Sequence, residues 1–392
     1  MSAWKTVPVG ELVESTKTWN PSRSDPDEVF DYIDLSAVDQ AAKAIVGARE
    51  VTCGDAPSRA RQIVSAGDVL VSTVRPNLNG IAKVPVDLDG ATASTGFCVL
   101  RPRKNVLSSS YLFHWVKSPG FVADMVSKAT GASYPAVSDR IVFESALAVP
   151  PLPEQRRIAA ILDQADALRA KRREALAQLD SLTQAIFIEM FGDPVVNPKG
   201  WPFVPFGEVC ETRLGKMLDQ KQQTGSHVRK YLRNANVQWF RLDLSDILEM
   251  DFDEKARQVF RLRYGDLLIC EGGEPGRAAI WRDEISECYY QKALHRGRPK
   301  PETATSEYLA WLLWFLAHRG GLGDHVTAAT IAHLTGEKLK AMNIPVPPLE
   351  AQTEFVERLR VLDEMRANHR NHLMQLDALF STLQHRAFRG EL

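Results

Sequence analysis

Cysteine is scarce, and what there is does not pair. The 392 residues hold five (Cys53, Cys98, Cys210, Cys270, Cys288), with no two separated by two residues. An odd count without a CxxC pair argues against a zinc ribbon and a disulfide framework, and predicts reduced thiols in the cytoplasm. Long apolar runs are also missing. The longest, residues 309–317, has nine residues; it is too short to span a bilayer and suits a buried helix. Residues 1–10 have no apolar core, so no signal peptide is expected. Neither sign of charge dominates: 48 Lys and Arg stand against 49 Asp and Glu, so nucleic-acid binding would have to come from local patches. The chemical motifs are absent too. There is no GxxxxGK[ST] phosphate loop, and Gly272, Gly273 and Gly276 read as a turn rather than a GxGxxG. Asn197-Pro198 lacks the aromatic that follows in amino-methyltransferase motifs. His318 with His325, and His369 with His372, have no cysteine or acidic cluster beside them and read as structural or surface residues. Asp266 and Glu271 follow a strand loosely, as nuclease carboxylates do, but the first half of the chain has no match for Glu271. What remains, 44% hydrophobic and 25% charged, is ordinary for a soluble globular chain of one to three domains.

What is present is a duplication. Residues 149–192 read VPPLPEQRRIAAILDQADALRAKRREALAQLDSLTQAIFIEMFG, and residues 346–390 repeat the pattern. Asp166, Arg169, Gln178, Leu179 and Asp180 match Asp363, Arg366, Gln375, Leu376 and Asp377 at a constant offset of 197. Gln155 matches Gln352, and Trp4, Val7, Pro8, Gly10 and Glu11 match Trp201, Val204, Pro205, Gly207 and Glu208. Each copy is a globular unit followed by one long helix. Spacings of three and four predict a helix seam through Ile158, Ile161, Ala165, Leu168, Ala175, Leu179 and Leu182 in the first copy. In the second it runs through Phe355, Leu362, Met365, Leu376, Leu379 and Leu383. Antiparallel pairing about the equivalent residues Arg172 and His369 would set Leu179 against Leu362 and Asp166 against Gln375.

The predicted organisation is a globular domain over 1–148, a helix over 149–192, a linker over 193–200, a second globular domain over 201–345 and a second helix over 346–392. Within the first domain, 30–35 and 69–72 read as strands, 92–101 as another, and 111–126 as a helix; Ser138 is a plausible helix N-cap. Residues 75–80 and 130–135 are polar loops with turn residues. In the second domain, 231–237 and 265–269 answer the first two strands, and 271–277 answers the 75–80 loop with different chemistry. Short strands mixed with a few helices predict an α+β fold rather than a doubly wound sheet.

Basic and aromatic residues carry the functional signal. Residues 213–241 hold seven Lys and Arg against one acid. Cations neutralise phosphates, while Arg, Asn and Gln can offer paired hydrogen bonds to base edges. An acidic stretch at 243–254 follows directly, so salt pairing could absorb part of that charge. The candidate contacts in the first domain are Arg75, Asn77, Asn79, Lys83, Lys128, Ser133 and Tyr134. Those in the second are Lys216, Lys221, Arg229, Lys230, Tyr231, Arg233, Asn234, Asn236, Arg277, Lys292, His295 and Arg296.

The segments VPPLPEQRRIAAIL, FGDPVVNPKGW, YLRNANV, GDLLICEGGEPGRAAIW and the closing FRGEL together resemble the specificity subunits of type I restriction–modification systems. The second copy departs slightly, with Glu350-Ala351-Gln352 where the first has Pro153-Glu154-Gln155. The resemblance covers the whole chain. It implies two target-recognition domains, each a small mixed sheet plus helices, held apart by an antiparallel coiled coil with pseudo-two-fold symmetry. It further implies an asymmetric bipartite site on double-stranded DNA and no catalysis by the chain itself. Two methyltransferase subunits would dock on the helices, with two restriction subunits in the full complex. S-adenosylmethionine, ATP and Mg would then belong to those partners, and this chain would need no cofactor. Helices of about 38 residues span roughly 57 Å, against roughly 34 Å for a turn of B-DNA, which suits a spacer between half-sites. Two rival readings are a coiled-coil scaffold carrying two non-DNA ligand-binding domains, and a self-contained nuclease or methyltransferase.

Overall fold

The duplication is visible in the sheets. The computed structural model describes residues 4–219, 223–323 and 333–392. The chain forms two compact units, one of residues 1–175 with 369–392 and the other of residues 176–368. Each unit therefore holds a piece of both long helices.

In the first unit, Lys5–Pro8 pairs antiparallel with Ala146–Val149. One antiparallel sheet runs in the order Val13–Glu14, Phe97–Pro102, Val69–Ser72, Ile81–Lys83. A mixed sheet runs Arg49–Thr52, Val29–Ile33, Thr92–Ser94, Ala60–Ile63, its middle pair parallel. The second unit repeats the first sheet with Cys210–Leu214, Leu294–Pro299, Leu267–Cys270 and Ala278–Ile280. It repeats the parallel pair with Val228–Leu232 and Tyr289–Tyr290.

Two expected elements are divided, each for a local reason. Residues 92–101 are two strands in different sheets. The break falls at residues 95–96, and a Cβ at Gly96 would crowd the Leu35 side chain at 3.0 Å, so glycine is the easiest fit where the chain passes from one sheet to the other. Residues 111–126 are two helices, Ser109–Val116 and Pro119–Lys128. Pro119 has no N–H to continue the first, and the Ser118 hydroxyl accepts from Phe121 N to start the second. Ser138 precedes the short helix Asp139–Phe143 but its side chain makes no capping bond.

The two Gly-Asp pairs are framework. Gly67 and Gly265 both have positive φ, feeding Asp68 and Asp266 into their strands. Both oxygens of Asp68 accept from Arg101, at 3.0 and 2.7 Å, and both of Asp266 from Arg298, at 2.7 and 2.8 Å. Asp266 is thus not a free carboxylate of the kind a nuclease needs. Among the described residues no group of three His, Cys, Asp or Glu could hold a metal ion. His325 lies outside the described residues. All five cysteines are buried and unpaired. Among the described residues no helix is long and apolar enough to cross a membrane.

The long helices run Leu152–Phe191 and Leu349–Arg389. Within the first unit Arg157 reaches the Leu392 carbonyl, Arg169 meets Asp377 at 2.6 Å and Arg172 meets His369 at 3.1 Å, an antiparallel order. In the second unit Arg366 meets Asp180 at 3.1 Å. The apolar seam needs correction. Ala165, Leu179 and Leu362 are buried, and Ile161 and Leu376 are partly buried. Leu168, Leu182, Met365 and Leu379 instead lie 44–50% exposed. The residues one place along, Arg169, Thr183, Arg366 and Phe380, turn inward. The expected Asp166–Gln375 pair is replaced as well: Asp166 takes Arg169 and Lys117, and Gln375 is exposed. Apolar counting misses a seam whose inward positions are partly arginine and threonine.

The first unit seats its helix Ser109–Val116 on the first long helix through ionic and polar contacts. His114 is fully buried, and its Nε2 lies 2.7 Å from Asp163 Oδ1 while Nδ1 has no partner. Burial, its largest influence, pushes the imidazole below its ordinary value of 6.5 despite Asp163. The unpartnered Nδ1 agrees: a neutral ring donates from Nε2 and leaves Nδ1 bare, whereas a charged ring would bury an unsatisfied N–H. The unfolded chain therefore takes this proton at about pH 6.5 and the folded chain only at lower pH. Stability is unaffected above that value and falls as the pH drops below it, by up to about 1.4 kcal/mol per pH unit. Urea unfolding between pH 7.5 and 5.5 should show this loss, and His114→Gln, which keeps a donor for Asp163, should flatten it in the first unit. A slope unchanged by the substitution would refute the assignment.

Candidate nucleic-acid interface

The two polar loops of the first unit, distant in sequence, are brought together. Arg75 N donates to Pro135 O at 2.7 Å, and Ala136 bridges to both Val74 and Thr130. Arg75 and Asn79 bracket a 3-10 turn, Pro76–Leu78, and both have left-handed backbones with φ of 51° and 50°. The Arg75 guanidinium lies over the Tyr134 ring, 4.6 Å from its centroid, and Tyr134 is 68% exposed. Lys43, a third left-handed residue at φ 56°, donates its ammonium to the Asn79 carbonyl. Burial first, and the Lys117 charge second, bring Lys43 down to about 8. Asn79 Oδ1 is buried with no partner. Non-glycine residues in this backbone region cost on the order of 1–3 kcal/mol each and gather at functional sites. Asn77 and Ser133 are exposed on the same two loops. Lys83 and Lys128 point elsewhere: Lys83 bonds Ser110 and Lys128 pairs with Asp124.

In the second unit the 271–277 loop gathers a different set. Asn234 Nδ2 donates to Gly272 O at 3.0 Å, and Arg277 reaches both Glu274 and the Asn234 carbonyl, at 3.0 and 3.2 Å. Trp239 Nε1 donates to Glu274, and Trp239 and Trp314 both pack on His318. Residues 324–332, which answer the 130–135 loop at the repeat offset, lie outside the described residues, as does Lys221.

Several candidates prove structural. Tyr231, Asn236, His295 and Arg296 are all buried and cannot meet a duplex. Tyr231 packs in the core with Met250, Phe252 and Tyr289. Asn236 is consumed by Arg233 N and the carbonyls of Asp243 and Asp246. His295 meets the Leu334 carbonyl, and Arg296 pairs with Glu211. These residues occupy inward strand or turn positions, which composition alone does not separate from outward ones. Much of the basic run is likewise spent internally: Lys216 on the Asp251 carbonyl, Arg229 on Glu287 and Arg233 on Asp246. Lys230 and Lys292 are exposed. Lys43, Trp239 and His318 escaped the candidate set. Trp239 lay inside the basic run, whereas no sequence signal marked Lys43.

The family described as type I restriction modification DNA specificity domain matches the chain twice, over residues 1–178 and 198–377. A type I restriction enzyme MjaVIII specificity subunit from Methanocaldococcus jannaschii is 22% identical over 381 residues, covering 92% of this chain and 86% of that one. The EcoKI specificity subunit of Escherichia coli K12 is 25% identical over 319 residues, covering 76% and 68%. Among solved structures, a chain from a study of complex assembly and conformational transition in the type I R-M system covers 100% of this chain and 99% of its own. It has a TM-score of 0.65 and 27% identity. A type I restriction-modification S subunit from M. genitalium, 12% identical, shares the fold with a TM-score of 0.57 over 98% of this chain and 96% of that one.

Proposed function

The chain belongs to the type I restriction modification DNA specificity family, and from that premise we propose that it reads double-stranded DNA with two dissimilar domains and docks the subunits that modify and cut it. The observation that carries this reading is the match of the specificity domain to both halves of one chain. The half-sites differ because the loops differ: a stacked, exposed Arg75 in one unit, an Arg277 tied to Glu274 in the other. The site is therefore asymmetric and bipartite.

The partners are two copies of a methyltransferase subunit and, in the full complex, two restriction subunits. The exposed apolar residues of the long helices support equal docking sites. Leu168 and Met365 are repeat equivalents, and so are Leu182 and Leu379; all four are 44–50% exposed. Each unit thus presents the same two residue positions to one kind of partner. The chain itself is non-catalytic and needs no cofactor; S-adenosylmethionine, ATP and Mg are brought by the partners, in the cytoplasm.

Co-purified with the methyltransferase subunit of its own system, the chain should direct adenine methylation to one asymmetric bipartite motif. Alone, it should bind duplex DNA at moderate salt, lose it as salt rises, and neither methylate nor cut. Activity of the purified chain without partners would overturn the reading, and a symmetric motif would refute the two-reader assignment.

A further inference from the structure

Within that reading of the chain, one residue stands apart from every other basic side chain of the two loop clusters. Lys83, Lys128, Arg233 and Arg277 are each held by an acid or a hydroxyl of their own unit. Arg75 forms no ion pair among the described residues, and neither loop it joins, 72–80 or 128–137, contains an acid. Its surroundings hold it still. The left-handed backbone is fixed by the bond to Pro135 O, by Leu78 N donating to the Arg75 carbonyl at 2.9 Å, and by Lys43 on Asn79. One face of the guanidinium rests on Tyr134.

We propose that Arg75 is the guanine-reading residue of the first unit: its guanidinium edge donates a pair of hydrogen bonds to O6 and N7 of one guanine in the major groove, with Tyr134 as the platform that orients it. The chemistry favours a base over a phosphate. A phosphate can take an arginine fork, but it accepts a mobile lysine as a point charge equally and does not call for a side chain locked in one direction. A planar fork with one face covered and its backbone locked offers two parallel N–H groups in one direction, which is the pattern that distinguishes guanine from the other bases. Fixing the side chain before binding also lowers the ordering cost of the contact. In the second unit the loop arginine, Arg277, is occupied by Glu274 and the Asn234 carbonyl, so the same contact is not assigned to it.

The test uses the complex of this chain with its methyltransferase subunit and duplex oligonucleotides carrying the methylated motif with each base pair changed in turn. Wild type should discriminate at one G·C pair of the first unit's half-site by roughly 5-fold to 150-fold. Arg75→Lys and Arg75→Ala should both bring that ratio close to 1 while leaving the other positions as they were. Tyr134→Ala should reduce the same ratio and no other. Arg75→Gly relieves the left-handed backbone and should unfold no earlier than wild type while losing the same discrimination, which separates reading from folding. Arg75→Lys behaving as wild type at every position would overturn the proposal. So would Arg75→Ala weakening all sequences equally with a salt slope lower by about 0.9, the mark of a phosphate contact. A wild-type complex with no sequence preference would overturn the functional reading, and this one with it.

Discussion

Gln155→Glu and Gln352→Glu should each unfold one unit well before the other, with a loss of about 3–5 kcal/mol in the affected unit. Both glutamines are fully buried at the start of a long helix. Gln155 Nε2 donates to the carbonyls of Val106 and Pro150, both at 2.9 Å, and its Oε1 accepts from Ser108 N at 2.8 Å. Gln352 Nε2 donates to Thr303 O at 3.1 Å and Pro347 O at 2.9 Å, and its Oε1 accepts from Thr305 N at 2.9 Å. One side chain thus completes three backbone groups. A buried donor or acceptor left alone costs about 1–3 kcal/mol, and glutamate also turns an oxygen toward two carbonyls. At about 2–4 °C per kcal/mol for a unit of this size, the shift should approach or exceed 10 °C. Calorimetry should show one transition moved and the other in place. Gln→Ala should fall short of Gln→Glu because it adds no repulsion. A shift of only 2–3 °C for either glutamate variant would mean the three bonds are replaceable.

Those glutamines mark where sequence reading stops. The match between Gln155 and Gln352 was legible, as was the Val-Pro-Pro-Leu beside each, but nothing in the pattern said what the amide touches. Two of its three partners lie 47–49 residues upstream, at the entry to the helix Ser109–Val116 and its counterpart Ser306–His318. Fold class, long helices and repeat offset follow from local periodicity and identity, so they were readable. The Arg75 and Tyr134 loops were picked out for their composition, yet their meeting depends on strand pairings that no local signal encodes. His295 and Arg296 show the opposite failure. They lie in the middle strand of a sheet, paired on both sides by 210–214 and 267–270, and a basic residue there can look like a ligand contact until the pairing is known.

Arg366→Ala should be costly for a change at a charged helix position, at about 2–4 kcal/mol for the second unit. Arg366 is 8% exposed; Nη1 meets Asp363 at 2.8 Å, Nε meets Asp180 at 3.1 Å, and Nη2 donates to Leu179 O at 3.0 Å and to Thr183 Oγ1. Asp180 and Asp363 are more than 60% exposed, so water can recover them once the arginine is gone. The loss therefore falls on the packing of the stem and on the buried hydroxyl and carbonyl, which is why the charge alone is a poor guide to the magnitude. Arg366→Met keeps the volume and removes the charge, and well-packed apolar replacements of buried ions are often tolerated, so it should recover at least half of the alanine loss. Arg169 is the repeat equivalent, bonded to Asp166 and Asp377 and lying 4.4 Å over Phe380, but its side chain is 18% exposed against 10% for Arg366. Arg169→Ala should accordingly cost less, and in the first unit only. Denaturant unfolding of the three variants at low and high salt separates the contributions. The alanine loss at 366 should change little with salt, because it rests on buried bonds, whereas a loss that fades in 1 M salt would return the residue to the class of ordinary surface ion pairs.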